Sequence, residues 1–272
     1  MSAESVRNPA SRVVIRSVAL PAEHGGWGFL IEPIVLGLLV APTFAGFLLG
    51  VAAIAVFLVH QPLKVAIKDR RKGVRPPRAV WAERFSAGYG LVAVGAFAAT
   101  LALAPSADFL IPLALAMPLA VVQLLYDARN QSRRLVPELS GACALATTST
   151  AIALLGGWGL LPALVLWLIA SLRAVVSILY VRARLNLEHR KRQTPWVAWA
   201  AHGAALVVMV ALAVASRGPW LGVAAFGILL ARAAIGLSSY RTPRPAKIIG
   251  LMEMGYGLLT AVLTGVGFRF GV

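Results

Sequence analysis

Cysteine is almost absent: Cys143 is the only one in 272 residues. A single thiol excludes an intrachain disulfide framework and a thiolate metal cluster. Acids are nearly as scarce, with 10 Asp and Glu against 26 Lys and Arg. The three Asp (Asp69, Asp108 and Asp127) all lie far apart in sequence. Mg²⁺ is held by carboxylate or phosphate oxygens in octahedral array, so an Asp-rich magnesium site is excluded and no metal or cofactor is expected. G-x-S-x-G, Walker, H-E-x-x-H and dinucleotide-binding signatures are missing. Their absence removes the common soluble hydrolase, nucleotide-binding and zinc-protease classes.

Apolar residues take the place of what is missing. They make up 59% of the chain, and mean hydropathy is +0.80. Long uncharged runs of this composition mark an integral membrane protein. Nine segments are long enough to span, at roughly 21–41, 43–63, 85–104, 109–125, 138–155, 158–180, 196–215, 219–238 and 248–268. The runs are rich in Leu and Ala and do not alternate, so they predict helices and exclude strands. The expected fold is an all-α polytopic bundle of nine transmembrane helices. A cytoplasmic tail (1–20) precedes one transmembrane domain (21–272).

The connections alternate in character. Those after segments 1, 3, 5 and 7 are short and punctuated by Pro or Gly; those after segments 2, 4, 6 and 8 are basic. Of the 26 Lys and Arg, only Arg217 and Arg269 fall on the non-basic side. Short cytoplasmic loops carry the Lys/Arg excess, which predicts the N-terminus in and the C-terminus out. The N-terminal stretch is polar and basic and lacks the apolar core of a cleaved signal peptide. The longest basic connection, after segment 2, is the best candidate for an ordered cap. A net charge of +16 suggests nucleic acid in a soluble chain. Here basic loops against an anionic leaflet account for it, so the expected partners are membrane lipids and not nucleic acid.

Ionisable groups inside spans cost about 2.5–3.5 kcal/mol on insertion scales and call for a partner or a role. Glu23, His24, Glu32, His60, Gln61, Lys64, Glu138, Arg173, His202, Arg232 and Glu253 lie in or at the ends of spans. Most map to the cytoplasmic half, which predicts either a polar cavity open to that side or a set of buried ion pairs that fix packing. Arg173 is expected about 10 Å above the inner end of segment 6. His202, taken alone, reads as a hydrogen-bonded core histidine. The densest motif is PAEHGGWGFLIEP, Pro21 to Pro33. Its glycines allow close approach, and Glu32 before Pro33 marks a bend.

Glu23, His24, Gly25 and Trp27, followed by Glu32-Pro33 and by HQPLK at 60–64, resemble the YwiC-like family of bacterial membrane proteins across most of the chain. That resemblance implies a bacterial cytoplasmic membrane protein. The nine-helix topology is also similar to the UbiA superfamily of intramembrane prenyltransferases. That resemblance implies Asp-rich motifs at the end of helix 2 and near helix 6, which hold Mg²⁺ and a prenyl diphosphate. Tyr126-Asp127 and the basic residues after segment 4 resemble a loop of the same superfamily. The chain departs from it where the metal would bind. It reads His60-Gln61-x-x-Lys64-x-x-x-Lys68 at the first position, with Asp69 beside it, and Tyr180-x-Arg182-x-Arg184 at the second.

Two readings follow. In the first, Lys64, Lys68, Arg133, Arg134, Arg182 and Arg184 hold the anionic head of a lipid or isoprenoid directly, since Lys and Arg bind phosphate without metal. Trp27, His60, Gln61, Asp69, Tyr126, Glu138, Arg173, Tyr180 and Glu253 line the same site, and Glu23, His24 and Glu32 supply acid–base chemistry. Such a protein is a UbiA-like lipid binder or a metal-independent transferase, although diphosphate loss without metal lacks its usual electrophile. In the second, intramembrane Glu and His serve a transporter or sensor of a small anion or protons. A non-catalytic membrane scaffold is a third reading.

Overall fold

The structure is a computed structural model of the chain, and it describes residues 15, 17–20, 24–71, 73, 76–191 and 194–272, with the side chains of His24 and Gly25 excepted. Most of the N-terminal tail, Glu23 and the His24 side chain lie outside the described residues. Among the described residues regular structure is entirely helical. It comprises α1 (His24–Val40), α2 (Phe44–Arg71), α3 (Pro77–Leu103), α4 (Leu110–Ala128), α5 (Leu135–Leu155), α6 (Leu160–Glu188), α7 (Trp196–Val214), α8 (Trp220–Gly236) and α9 (Ala246–Phe270). Each apolar segment of the sequence is a helix.

Seven helices, α2 to α7 and α9, are long and apolar enough to cross a membrane. At 17 residues each, α1 and α8 lie at the short end of the spanning range. Several helices run past their apolar segments. α2 continues to Arg71, and α6 continues to Glu188. The expected cap after α2 is therefore mostly helix, and Arg182 and Arg184 are helical residues. The reason is that Lys, Arg, Glu and Ala favour helix, so loss of hydropathy marks the edge of the bilayer and not the end of the helix. The last turn of α2 carries Lys68, Arg70 and Arg71, which suit the negative end of the helix dipole.

Contacts divide the chain into two compact units. One comprises Met1–Glu23 and Leu48–Ala102. In it Val18, Ala66 and Ala82 form a small core with Val65 and Phe85. Arg78 holds the buried Asp69 through two parallel bonds, Nε to Oδ2 at 3.0 Å and Nη2 to Oδ1 at 2.8 Å. Arg70 pairs with Glu83 at 3.1 Å.

The second unit comprises His24–Phe47 and Leu103–Val272. In it α1 packs against α5 and α9, α5 against α4 and α6, and α6, α7, α8 and α9 follow in sequence. The ring closes where α9 meets α1. Within it α6 also touches α1, α8 and α9. From Ala146 to Leu155, α5 is buried on every face, as expected of a helix at the centre of a bundle. Its hydroxyls are satisfied locally: Ser149 donates to the Ala146 carbonyl at 2.8 Å, and Thr150 donates to the Ala163 carbonyl of α6 at 3.0 Å. Small residues set the helix spacing. A Cβ on Gly37 of α1 would lie 2.9 Å from Ile152 of α5, and one on Gly265 of α9 would lie 2.7 Å from Leu39 of α1.

Candidate functional site: a buried charged layer

Five helices of the second unit contribute to one layer of charge. α6 supplies Arg173, Ser177 and Tyr180, which share a face at helical spacing. Arg173 is 4% exposed. Its Nη2 donates to Glu32 Oε1 of α1 at 3.1 Å and to the Glu253 backbone carbonyl of α9 at 2.7 Å. Gly257 makes the second bond accessible. It lies one turn beyond Glu253, and a Cβ there would overlap the Glu32 carboxylate and Arg173 Nη2.

The Glu253 carboxylate is occupied on both oxygens. Ser177 Oγ donates to Oε2 at 2.7 Å, and Arg232 Nη1 of α8 donates to Oε1. Arg232 also lies against the Tyr180 ring, 4.0 Å from its centroid, and 5.3 Å from that of Tyr256. Its Nη2 donates to Nε2 of His202 in α7 at 2.9 Å. His202 Nδ1 lies 2.7 Å from the Ala198 carbonyl. A carbonyl only accepts and a guanidinium only donates. His202 is therefore the neutral tautomer with its proton on Nδ1. With Glu32 and Glu253 ionised against Arg173 and Arg232, the layer has no net charge, the arrangement under which ions survive away from water.

One part of the layer is not satisfied. Arg173 Nε and Nη1 are buried and have no hydrogen-bond partner, so three of the five guanidinium N–H donors are idle. Arg173 and Glu32 line a cavity of about 20 Å³ between α1, α5, α6 and α9, walled largely by Phe29, Leu36, Ile169 and alanines. Thr264, whose buried hydroxyl also lacks a partner, belongs to the same lining. The space accommodates a water or two, or a small polar group of similar size.

Residues 20–154 match the family model described as YwiC-like protein. Over that stretch the chain is similar to the YwiC-like family. The match is shorter than the sequence resemblance implied. It covers α1 to α4 and nearly all of α5, and so includes Glu32. Arg173, His202, Arg232 and Glu253 come from beyond it. No curated protein and no solved structure matches the chain.

The other sequence-derived candidates occupy distinct positions. His60, Lys64 and Lys68 are exposed and share one side of α2, and Gln61 Nε2 donates to the Ser17 carbonyl at 3.5 Å. Asp69, in the same helix, is buried against Arg78. Trp27 and Tyr126 are half-buried, and Arg133 and Arg134 are exposed before α5. Arg182 donates to Glu138 at 2.8 Å and to the Arg133 carbonyl at 3.0 Å, tying α6 to the start of α5. Arg184 is buried. Its guanidinium donates to the Gly236 and Thr242 carbonyls and pairs with Glu188 at 2.9 Å. It thereby caps the end of α8 and anchors the connection to α9. Arg173 sits near the middle of α6, about 10 Å from the inner end of the apolar segment and ~22 Å from the helix end at Glu188 by helix rise, because α6 runs on past that segment.

Ser177, Tyr256 and Gly257 are not singled out by the sequence, and His202 and Arg232 stand out there only as polar groups in apolar runs, without a role in binding or catalysis. The signal for Ser177 was its spacing, since positions 173, 177, 180 and 184 fall on one helix face. The signal for Arg232 was its charge, which is alone in an apolar run.

Proposed function

We propose that the protein is a multi-pass protein of the bacterial cytoplasmic membrane, N-terminus inside, that binds a small anionic group at Arg173 and serves to transport or sense it. The group is of the carboxylate or phosphate class. One observation carries this reading: Arg173, buried beside Glu32, keeps three N–H donors idle at the wall of a cavity. A buried unpaired donor costs about 1–3 kcal/mol, and an anionic oxygen at those donors removes the cost. The cavity is small, about 20 Å³, which favours a compact anion over an extended isoprenoid. The net charge of +16 raises the concentration of anions around the protein.

A second source of the same chemistry is a lipid headgroup, favoured by the apolar walls. The test uses the full chain purified in detergent. Formate and inorganic phosphate are titrated while thermal unfolding is followed, and native mass spectrometry is run for retained acidic lipid. A rise in unfolding temperature with formate or phosphate, absent in Arg173→Gln, supports a soluble anion. A retained acidic lipid that is lost in Arg173→Gln supports the headgroup. If neither anion stabilises the protein and only bulk lipid is retained, the reading is wrong.

A further inference from the structure

We infer that anion binding at Arg173 is coupled to protonation of Glu32, one proton entering with one negative charge; this rests on Arg173 being an anion site. Glu32 already behaves as an internal anion. Its Oε1 takes one hydrogen bond from Arg173 Nη2, at 3.1 Å, and its carboxylate lines the same cavity. A second anion in that cavity meets the carboxylate at close range. The layer is neutral before the anion enters. Adding a negative charge alone leaves an uncompensated ion where water is scarce, which is the costly state. Adding the anion together with a proton keeps the layer neutral.

The other groups of the layer are poorly placed to take that proton. The Glu253 carboxylate accepts from both Ser177 and Arg232. His202 Nε2 is occupied by an Arg232 N–H, so protonating it would break that bond and set two cations together. The groups facing Glu32 are few. α6 presents Arg173 and α9 presents Glu253, and α5 presents only Ala142 and Ala146 to the cavity. The Glu32 side chain is 11% exposed against 4% for Arg173, so the acid is the less enclosed member of the pair.

The step balances simply. A proton from the aqueous phase joins the Glu32 carboxylate, which weakens its hold on Arg173. The guanidinium then turns its donors to the oxygens of the incoming anion. Release reverses both events. In a transporter this is proton–anion symport, and in a sensor it is a pH-gated anion receptor.

The experiment measures formate affinity of the full chain in detergent as a function of pH. Formate carries one charge and does not titrate from about pH 6 to 8. Uptake of one proton makes the wild-type affinity fall about tenfold per pH unit on the alkaline side. Calorimetry in two buffers of different ionisation enthalpy reads the same proton directly. Glu32→Gln, which carries the neutral form permanently, is expected to bind with an affinity independent of pH. Wild-type binding that is flat with pH and takes up no proton overturns the coupling and leaves the anion site standing. A pH dependence that persists in Glu32→Gln also overturns it, since the proton then resides elsewhere. Absence of formate and phosphate binding at every pH, in a folded wild type, removes the anion site and the coupling with it.

Discussion

Gly257 lies against the Glu32 carboxylate so closely that a methyl group at position 257 would overlap it. The glycine therefore sets the space in which the Glu32–Arg173 pair forms. Gly257→Ala is expected to destabilise the protein by about 1–3 kcal/mol, the usual cost of forcing extra volume into a packed interior. It should also abolish anion-dependent stabilisation. Gly255→Ala, two residues away and facing open space, is the control. There alanine gains up to about 1 kcal/mol of helix propensity. Thermal unfolding of both variants in detergent checks the contrast.

Arg232 serves Glu253 and His202 together. Removing it in Arg232→Leu leaves a buried carboxylate without its cation, with an expected loss of about 3–5 kcal/mol. Arg232→Leu combined with Glu253→Leu removes both charges, and the double variant should be more stable than the single one. If instead the losses simply add, the two residues do not act as a pair.

Arg184 holds two carbonyls at once, those of Gly236 and Thr242. Arg184→Ala leaves the end of α8 uncapped, and amide hydrogen exchange between residues 237 and 245 should accelerate. Arg184→Lys is expected to restore little, because one ammonium does not reproduce a planar fork. Exchange in α1, whose described contacts do not involve Arg184, should stay unchanged.

Orientation has its own test. With Cys143→Ser as background, Arg217→Cys should react with an impermeant maleimide in intact cells, whereas Lys191→Cys should react only after the membrane is opened. The reverse pattern would invert the proposed topology.

Much of the bundle was legible in the sequence because a membrane helix is announced by its own residues. Every helix from α1 to α9 coincides with an apolar run. The ends of α2 and α6 were not legible, since a charged helical turn such as Lys68–Arg71 has the composition of a loop. Glu32, Arg173 and Glu253 stood out as charges in apolar surroundings. Their pairing did not, because Glu32 and Arg173 are 141 positions apart and only packing brings them together. His202 illustrates the same limit. As a lone histidine it reads as a core residue, and its role as acceptor for Arg232 depends on a neighbouring helix. Cations such as Arg182 and Arg184 were legible as polar-side residues, but the carbonyls they hold belong to a helix end and to connections that no pattern pairs with them.

The lengths of α2, α3 and α6, at 28, 27 and 29 residues, bear on which membranes suit this protein. Each is ~40 Å long by rise, against about 30 Å of hydrocarbon. The surplus turns are polar, and long Lys and Arg side chains bend toward the interface. A thicker host bilayer therefore meets helical turns whose Lys and Arg reach back to the headgroup zone. Reconstitution in longer-chain lipids should leave the Arg173 layer intact.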